Sequence, residues 1–341
     1  MRDSGLIGRN LARASGVGQR VILADETLSR THLEFGVAEG TLWIRDCGST
    51  NGSDIETDGR RRHPVGTSRR TPVPPGSTIY LGRRYFRVEA TLGRAVIAGA
   101  VLDWGTASHV GSARRHNQDS SAAEPPVFMV ADGMGGHAAG DLASRAVVDA
   151  LLTLAGRADV TRQTMAGCLT DARARMARIP VRDRRSPGST VSGVIVTGGD
   201  DAAPSWLVVN VGDSRTYRWD CGGLRQLTVD HSVAQGLIDS GTVTPSAARG
   251  APMGNVLTRA VQAHADCQPD TRMLPIRPGD RILVCSDGLT RELDEATIGR
   301  VLAAHVDPQA VADALVGAVV TRGGQDDATA VVVDAIELTR S

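Results

Sequence analysis

The chain has 341 residues, 41% hydrophobic and 22% charged, with 38 basic residues balanced by 38 acidic ones. That length suits two domains better than one core, and the composition excludes a disordered chain. Every basic residue is arginine, a reflection of GC-rich coding; zero net charge and 3% aromatics argue against nucleic-acid binding.

Short apolar runs at 20–24, 41–45 and 77–81, each bounded by turn residues, predict an all-β domain over residues 1–90. The insert 57–75, with its RRR run and Pro-Pro pair, reads as a mobile loop, and 91–99 as a linker to a second domain over 100–338. In that second domain strands and helices come in blocks rather than in alternation, which predicts α+β layers. Buried strands are expected at 127–131, 191–197, 206–211, 281–285 and 328–333. Two amphipathic helices follow the first of these. In the second, Met165, Cys168, Leu169, Ala172 and Met176 recur at helical spacing after Thr161 as cap, so its Met and Cys are core filler. Later helices are expected at 296–305 and 309–321. The five cysteines, Cys47, Cys168, Cys221, Cys267 and Cys285, are odd in number and scattered with no CxxC pair, which suggests neither a disulfide framework nor a zinc site, so they read as reduced thiols. No apolar run reaches the roughly 18 to 20 residues that span a bilayer, and no leader pattern opens the chain, so a cytoplasmic location without membrane insertion is expected.

Three aspartates share one context, a strand end beside a small residue: Asp132 in FMVADGMGGH, Asp287 in RILVCSDGLT and Asp326 in TRGGQDDATAVVV. An isolated Asp-Gly is usually a turn. Three converging carboxylates could not all stay ionised without cations to offset their repulsion. Hard divalent ions such as Mg²⁺ or Mn²⁺ suit a few carboxylates and a backbone carbonyl, which Gly133 can offer. Two such ions activate water for attack on a phosphoryl group. Arg114 in GSARRHNQDS is the candidate for gripping phosphate oxygens, although an arginine in such a run is ordinarily a solvated surface charge.

The segments GSARRHNQDS, VADGMGGHAAG, GSTVSGVIV, VVNVGDSRTYRW, LTVDHSV, NVLTRAV, DRILVCSDGLT and GGQDDATAVVV resemble, in order, the motifs of the bacterial PPM (type 2C) serine/threonine phosphatases. Gly133, Gly135 and Gly136 lack the spacing of a dinucleotide fingerprint. The resemblance implies a four-layer α/β/β/α sandwich and hydrolysis of phosphoserine and phosphothreonine with two Mn²⁺ or Mg²⁺ ions. By that likeness Asp132 bridges both ions, Gly133 gives its carbonyl to the second, and Asp287 and Asp326 bind the first. Asp213 with Asp287 supports a third, weaker site; Arg114 binds phosphate, and Asp119 stands near it and a metal-held water. The mobile flap falls at 230–255. Gln118 and Met134 stand where animal members carry a Glu ligand and a His acid, and His137 reads as structural. His109 stands where an aspartate is common and Asp327 where Asn is usual, each with little loss expected.

Gly8-Arg9, LSRTH at 28–32, DCGSTNGS at 46–53 and PGSTIYLG at 75–82 resemble in order the loops of the forkhead-associated (FHA) domain, a β-sandwich that binds phosphothreonine peptides. The likeness assigns phosphopeptide contacts to Arg9, Ser29, Arg30, Thr50 and Asn51. Seven residues precede Gly8, fewer than the family's two opening strands need, so either the start codon is misassigned or the sandwich is incomplete at its N-terminus. The implied partners are phosphorylated proteins, with a bacterial Ser/Thr kinase as counterpart. The alternative is an inactive phosphatase fold serving as a phospho-dependent adaptor.

Overall fold

A computed structural model describes residues 4–9, 19–22, 25–38, 41–57, 62–74, 77–87, 93–135, 138–157, 159–180, 186–199, 202–244, 247, 256–265 and 267–339. The chain divides into two compact units, Met1–Ala90 and Thr91–Ser341.

Among its described residues the first unit holds β1 (Ser4–Gly8), β2 (Gln19–Ile22), β3 (Leu33–Ala38), β4 (Thr41–Asp46), β5 (Ser53–Glu56), β6 (His63–Pro64), β7 (Thr71–Pro72), β8 (Thr78–Leu81) and β9 (Arg84–Arg87). They form two sheets, ordered β2-β1-β3-β4-β7 and β6-β5-β8-β9. Alternation along β5 and β8 turns Ile55, Ile79 and Leu81 inward, where they meet Leu28, Leu33 and Ile44. The insert 57–75 is more than a loop. It carries β6 and β7, and its Val65 and Val73 are buried in the same core. Proline hid these strands from the sequence reading, yet edge strands tolerate it because one side of the backbone needs no partner. Arg62 lies over the Tyr80 ring at 3.4 Å and Arg70 over Trp43 at 4.0 Å, so both cover aromatic surface.

The second unit continues with β10 (Gly93–Ile97), β11 (Ala100–His109), β12 (Asp119–Glu124), β13 (Val127–Met134), α1 (Ala138–Leu151) and α2 (Arg162–Met176). Next come β14 (Gly188–Ser189), β15 (Val191–Gly199), β16 (Ala202–Val211), β17 (Arg215–Asp220), β18 (Gly223–Gln226) and α3 (Val233–Asp239). It closes with β19 (Val261–Gln262), β20 (Asp270–Pro275), β21 (Arg281–Cys285), α4 (Asp287–Glu292), α5 (Glu295–Ala304), α6 (Pro308–Thr321) and β22 (Ala328–Leu338). Residues 93–97, expected as linker, are instead strand β10, paired antiparallel with β11 and tied by the Arg94–Asp103 fork at 2.6 and 2.7 Å.

One sheet runs β10-β11-β22-β21-β17-β18 and the other β19-β14-β13-β15-β16-β20, with β12 paired to β13. Side chains on opposite faces of each strand enter different cores. Phe128 and Val130 join Val194, Trp206, Ile282 and Val333 between the sheets, while Val127, Met129 and Ala131 meet Val147 and Leu151 of α1 and Leu169 of α2. On the other outer face Leu283, Cys285 and Val332 meet Leu302, Val311 and Leu315 of α5 and α6. The result is the α/β/β/α sandwich expected. Thr161 caps α2 in a reciprocal box with Thr164, and Met165, Cys168 and Met176 are buried. Cys47, Cys168, Cys221 and Cys285 are free thiols, and no described helix is long and apolar enough to cross a membrane.

Candidate active site

The sheet register carries the acidic side chains to one end of the sandwich. β21 ends at Cys285 and its antiparallel neighbour β22 begins at Ala328, so Asp287 and Asp326 emerge side by side. Asp132 sits near the end of β13, and Asp213 in the turn between β16 and β17. Together with Arg114, Gly133 and Arg291 they line a cavity of about 450 Å³.

Asp132 is fixed through its backbone. Its amide donates to Thr190 Oγ1 at 2.9 Å, and its carbonyl accepts from Thr190 N at 2.8 Å and Ser189 Oγ at 3.1 Å. At Gly133 a Cβ would stand 2.0 Å from the Gly140 carbonyl oxygen of α1 and 2.8 Å from that of Gln118. Glycine is needed there for close packing of strand on helix, on top of any role for its own carbonyl.

Asp119 lies opposite Asp132 in the β12–β13 register, buried and not among the cavity-lining residues. Its Oδ2 accepts from Ser286 Oγ and Thr329 Oγ1, each at 2.7 Å. Arg114 donates instead to Gln118 Oε1 at 2.9 Å and pairs with Asp326 Oδ1 at 2.6 Å. Arg291, one turn after Asp287, bonds Asp287 Oδ2 and also Asp326 Oδ2, the latter at 2.7 Å.

Burial, with repulsion from Asp119, Asp287, Asp213 and Asp326, pushes the Asp132 carboxyl well above the usual range. Burial also raises Asp287, against the pull of Arg291. Asp213 is pushed up to about 8 by burial and by Asp287 and Asp230. Burial takes Asp119 to about 7 despite its two hydroxyl donors.

These residues fit hard divalent ions. Asp119 Oδ1 and Asp287 Oδ1 are buried without a partner, and the crowded carboxylates need positive charge. Yet among the described residues no three His, Cys, Asp or Glu are gathered tightly enough to form a metal cage. Both Asp326 oxygens and one of Asp287 are turned onto guanidinium groups.

In the first unit the predicted phosphopeptide residues meet at one loop cluster. The Arg9 amide donates to the Ser29 carbonyl at 2.9 Å, and the Thr50 amide to Ser29 Oγ at 2.9 Å. Asn51 Nδ2 donates to the Thr27 carbonyl at 2.8 Å, and Arg30 is exposed. Buried His32 ties the loops together: its Nδ1 accepts from Ser29 N at 3.0 Å, and its Nε2 lies 3.0 Å from the Gly52 carbonyl. Burial works to raise Asp46, but hydrogen bonds from Ser53, Ser49 and Gly48 outweigh it and hold the carboxyl below its ordinary value.

The family model described as Protein phosphatase 2C matches residues 107–319. The chain belongs to that family. An FHA domain, matched over residues 5–82, stands at its N-terminus. The phosphatase-family chain is 33% identical over 243 residues to the serine/threonine protein phosphatase PstP of Mycobacterium tuberculosis, covering 70% of this chain and 46% of that protein. It thus spans about half the length of that curated relative. It is 31% identical to the serine/threonine phosphatase stp of Listeria monocytogenes, covering 66% of this chain and 92% of that one. The crystal structure of the PstP catalytic domain in complex with two manganese ions superposes with a TM-score of 0.62 at 30% identity, covering 69% of this chain and 99% of that one.

Sequence reasoning missed Arg291, although its i+4 spacing from Asp287 was a readable signal. It also gave Asp327 no role. That carboxylate, 3% exposed, accepts from Gly111 N at 2.9 Å and Gln118 N at 2.8 Å, pinning both ends of the Arg114 loop. His137 and residues 245, 246 and 248–255 of the expected flap lie outside the described residues. At the start of that segment His231 Nδ1 accepts from Gly212 N at 3.1 Å, and Asp230 is held by the Arg215 fork at 2.7 to 3.0 Å.

Proposed function

We propose that the chain is a metal-dependent protein phosphatase that hydrolyses phosphoserine and phosphothreonine on proteins, with its FHA domain binding phosphothreonine in partners. The observation that carries this reading is the single cavity where Asp132, Asp213, Asp287, Asp326 and Arg114 converge from separate elements. Two Mn²⁺ or Mg²⁺ ions would be held by Asp132, the Gly133 carbonyl, Asp287 and Asp326, with Asp213 toward a third. When bound, such ions polarise the phosphoryl oxygens and activate the attacking water.

The protein's own groups do the rest. Arg114, anchored through Gln118, holds the phosphate oxygens and orients phosphorus for in-line attack. Asp119, fixed by Ser286 and Thr329, keeps a second buried carboxyl beside Asp132 and sustains the negative field that recruits the ions. At the FHA loops Arg9, Ser29, Arg30 and Thr50 grip the phosphate and Asn51 the peptide backbone. Tethering a phosphorylated partner there raises the local concentration of its other phosphosites. A cytoplasmic bacterial Ser/Thr kinase and its substrates are the natural partners.

The test uses the full chain with a phosphothreonine peptide and its unmodified counterpart. Calorimetry should show phosphothreonine peptide binding, lost in Ser29→Ala and absent for the unmodified peptide. Phosphate release with Mn²⁺ should be lost in Arg114→Ala. Equal binding of both peptides contradicts the FHA role; phosphopeptide binding with no release in any metal makes the chain an adaptor.

A further inference from the structure

Arg291 belongs to neither of the arginine roles assigned so far. It lies on α4 one turn beyond Asp287, so the two side chains share a helix face. Its guanidinium bonds Asp287 Oδ2 and, through Nη1, Asp326 Oδ2 at 2.7 Å. One planar fork therefore bridges two carboxylates from different elements. Arg114 takes the remaining Asp326 oxygen at 2.6 Å, but Arg114 also has Gln118 to hold it at 2.9 Å. Among the described residues, Arg291 has hydrogen bonds only to the two aspartates. Its side chain is 36% exposed and lines the cavity, so it has room to leave them.

From this geometry we propose that Arg291 is a built-in competitor of the divalent ion: it holds Asp287 and Asp326 together when no ion is bound, and gives up their oxygens when one arrives. The inference rests on the reading that these two aspartates bind metal. Its basis is the donor inventory. An ion at that position needs oxygens of Asp287 and Asp326 turned toward it. Three of their four oxygens face arginine, and the fourth, Asp287 Oδ1, is buried with no partner. Binding must therefore break charge-assisted hydrogen bonds and proceed against a resident positive charge. The same contacts also preserve the fold without metal, because they offset repulsion between carboxylates that would otherwise drive the α4 and β22 ends apart. Metal affinity is thereby lowered, so occupancy follows the supply of free ion.

The experiment titrates the EDTA-stripped full chain with Mn²⁺ alone, by calorimetry at one fixed pH, for wild type, Arg291→Gln and Arg291→Lys. Arg291→Gln should bind Mn²⁺ about ten-fold or more tightly than wild type, the factor expected for losing hydrogen bonds to charged groups. Without metal it should melt below wild type, and that deficit should vanish with saturating Mn²⁺. Arg291→Lys, a point charge that cannot fork across both carboxylates, should lie between the two and remain folded if the glutamine variant does not. Unchanged or weaker Mn²⁺ binding in the folded variants overturns the competitor role, because Arg291 would then be indifferent or a preorganising group. Failure of wild type and variants alike to bind Mn²⁺ overturns the metal reading itself.

Discussion

Asp327→Ala should loosen the phosphate-gripping loop more than its distance from the cavity suggests. The Asp327 carboxylate accepts from Gly111 N at 2.9 Å and from Gln118 N at 2.8 Å, the two ends of the turn that carries Arg114. At 3% exposure, water cannot replace it. Each buried N–H left without a partner costs about 1–3 kcal/mol, so the alanine variant should lose roughly 2–6 kcal/mol. That is survivable for a domain of ordinary stability. Asn in this place keeps one carbonyl acceptor but sets its NH₂ against the other donor, so Asp327→Asn should lose about half as much. Urea denaturation gives the stability change, and steady-state kinetics on a phosphothreonine peptide gives the functional one. The expected signature is a raised KM and lowered kcat/KM, because the slackened loop no longer holds Arg114. An alanine variant within 0.5 kcal/mol of wild type, a margin typical of neutral surface changes, and with unaltered kinetics would refute the reasoning.

Gly133→Ala should be costly, by about 1–3 kcal/mol in urea denaturation, since its Cβ meets the Gly140 and Gln118 carbonyls, both backbone and unable to step aside. In EDTA the chain should lose stability as pH rises. Asp213 and Asp119 are held at about 8 and about 7 in the fold, above the ordinary carboxylate value, so their contribution is full below about 4 and is lost as pH climbs through 7 to 8. Melting temperatures between pH 5 and 8.5 should fall in EDTA and stay flatter with saturating Mn²⁺. Asp46→Ala removes the acceptor of the Gly48 and Ser49 amides. Calorimetry of the full chain should then show phosphothreonine peptide binding weakened about ten-fold or more.

What could be read beforehand was whatever depends on local pattern. The apolar run 281–285 coincides with β21, the Thr161 cap and its helical periodicity match α2, and the aspartates flagged by their strand-end context do converge on one cavity. Strands without an apolar run escaped. β12, with sequence DSSAAE, is held by its pairing with β13 rather than by its own hydrophobicity, and β6 and β7 carry proline at sheet edges. At the site, Ser286 and Thr329 come to Asp119 across 167 and 210 residues of sequence, a convergence no local motif encodes. The part Asp327 plays was out of reach for a related reason. Its neighbour Asp326 faces the cavity, while Asp327 faces the backbone of a loop more than 200 residues earlier.

The most direct test of the account is phosphate release from a phosphothreonine peptide by the purified chain, with Mn²⁺ and with EDTA, beside Asp132→Ala and Asp287→Ala. Turnover that requires Mn²⁺ and is abolished by both substitutions in folded protein is the expected result. Turnover that persists in EDTA, or survives either substitution, would contradict a metal-assisted reaction at this cavity.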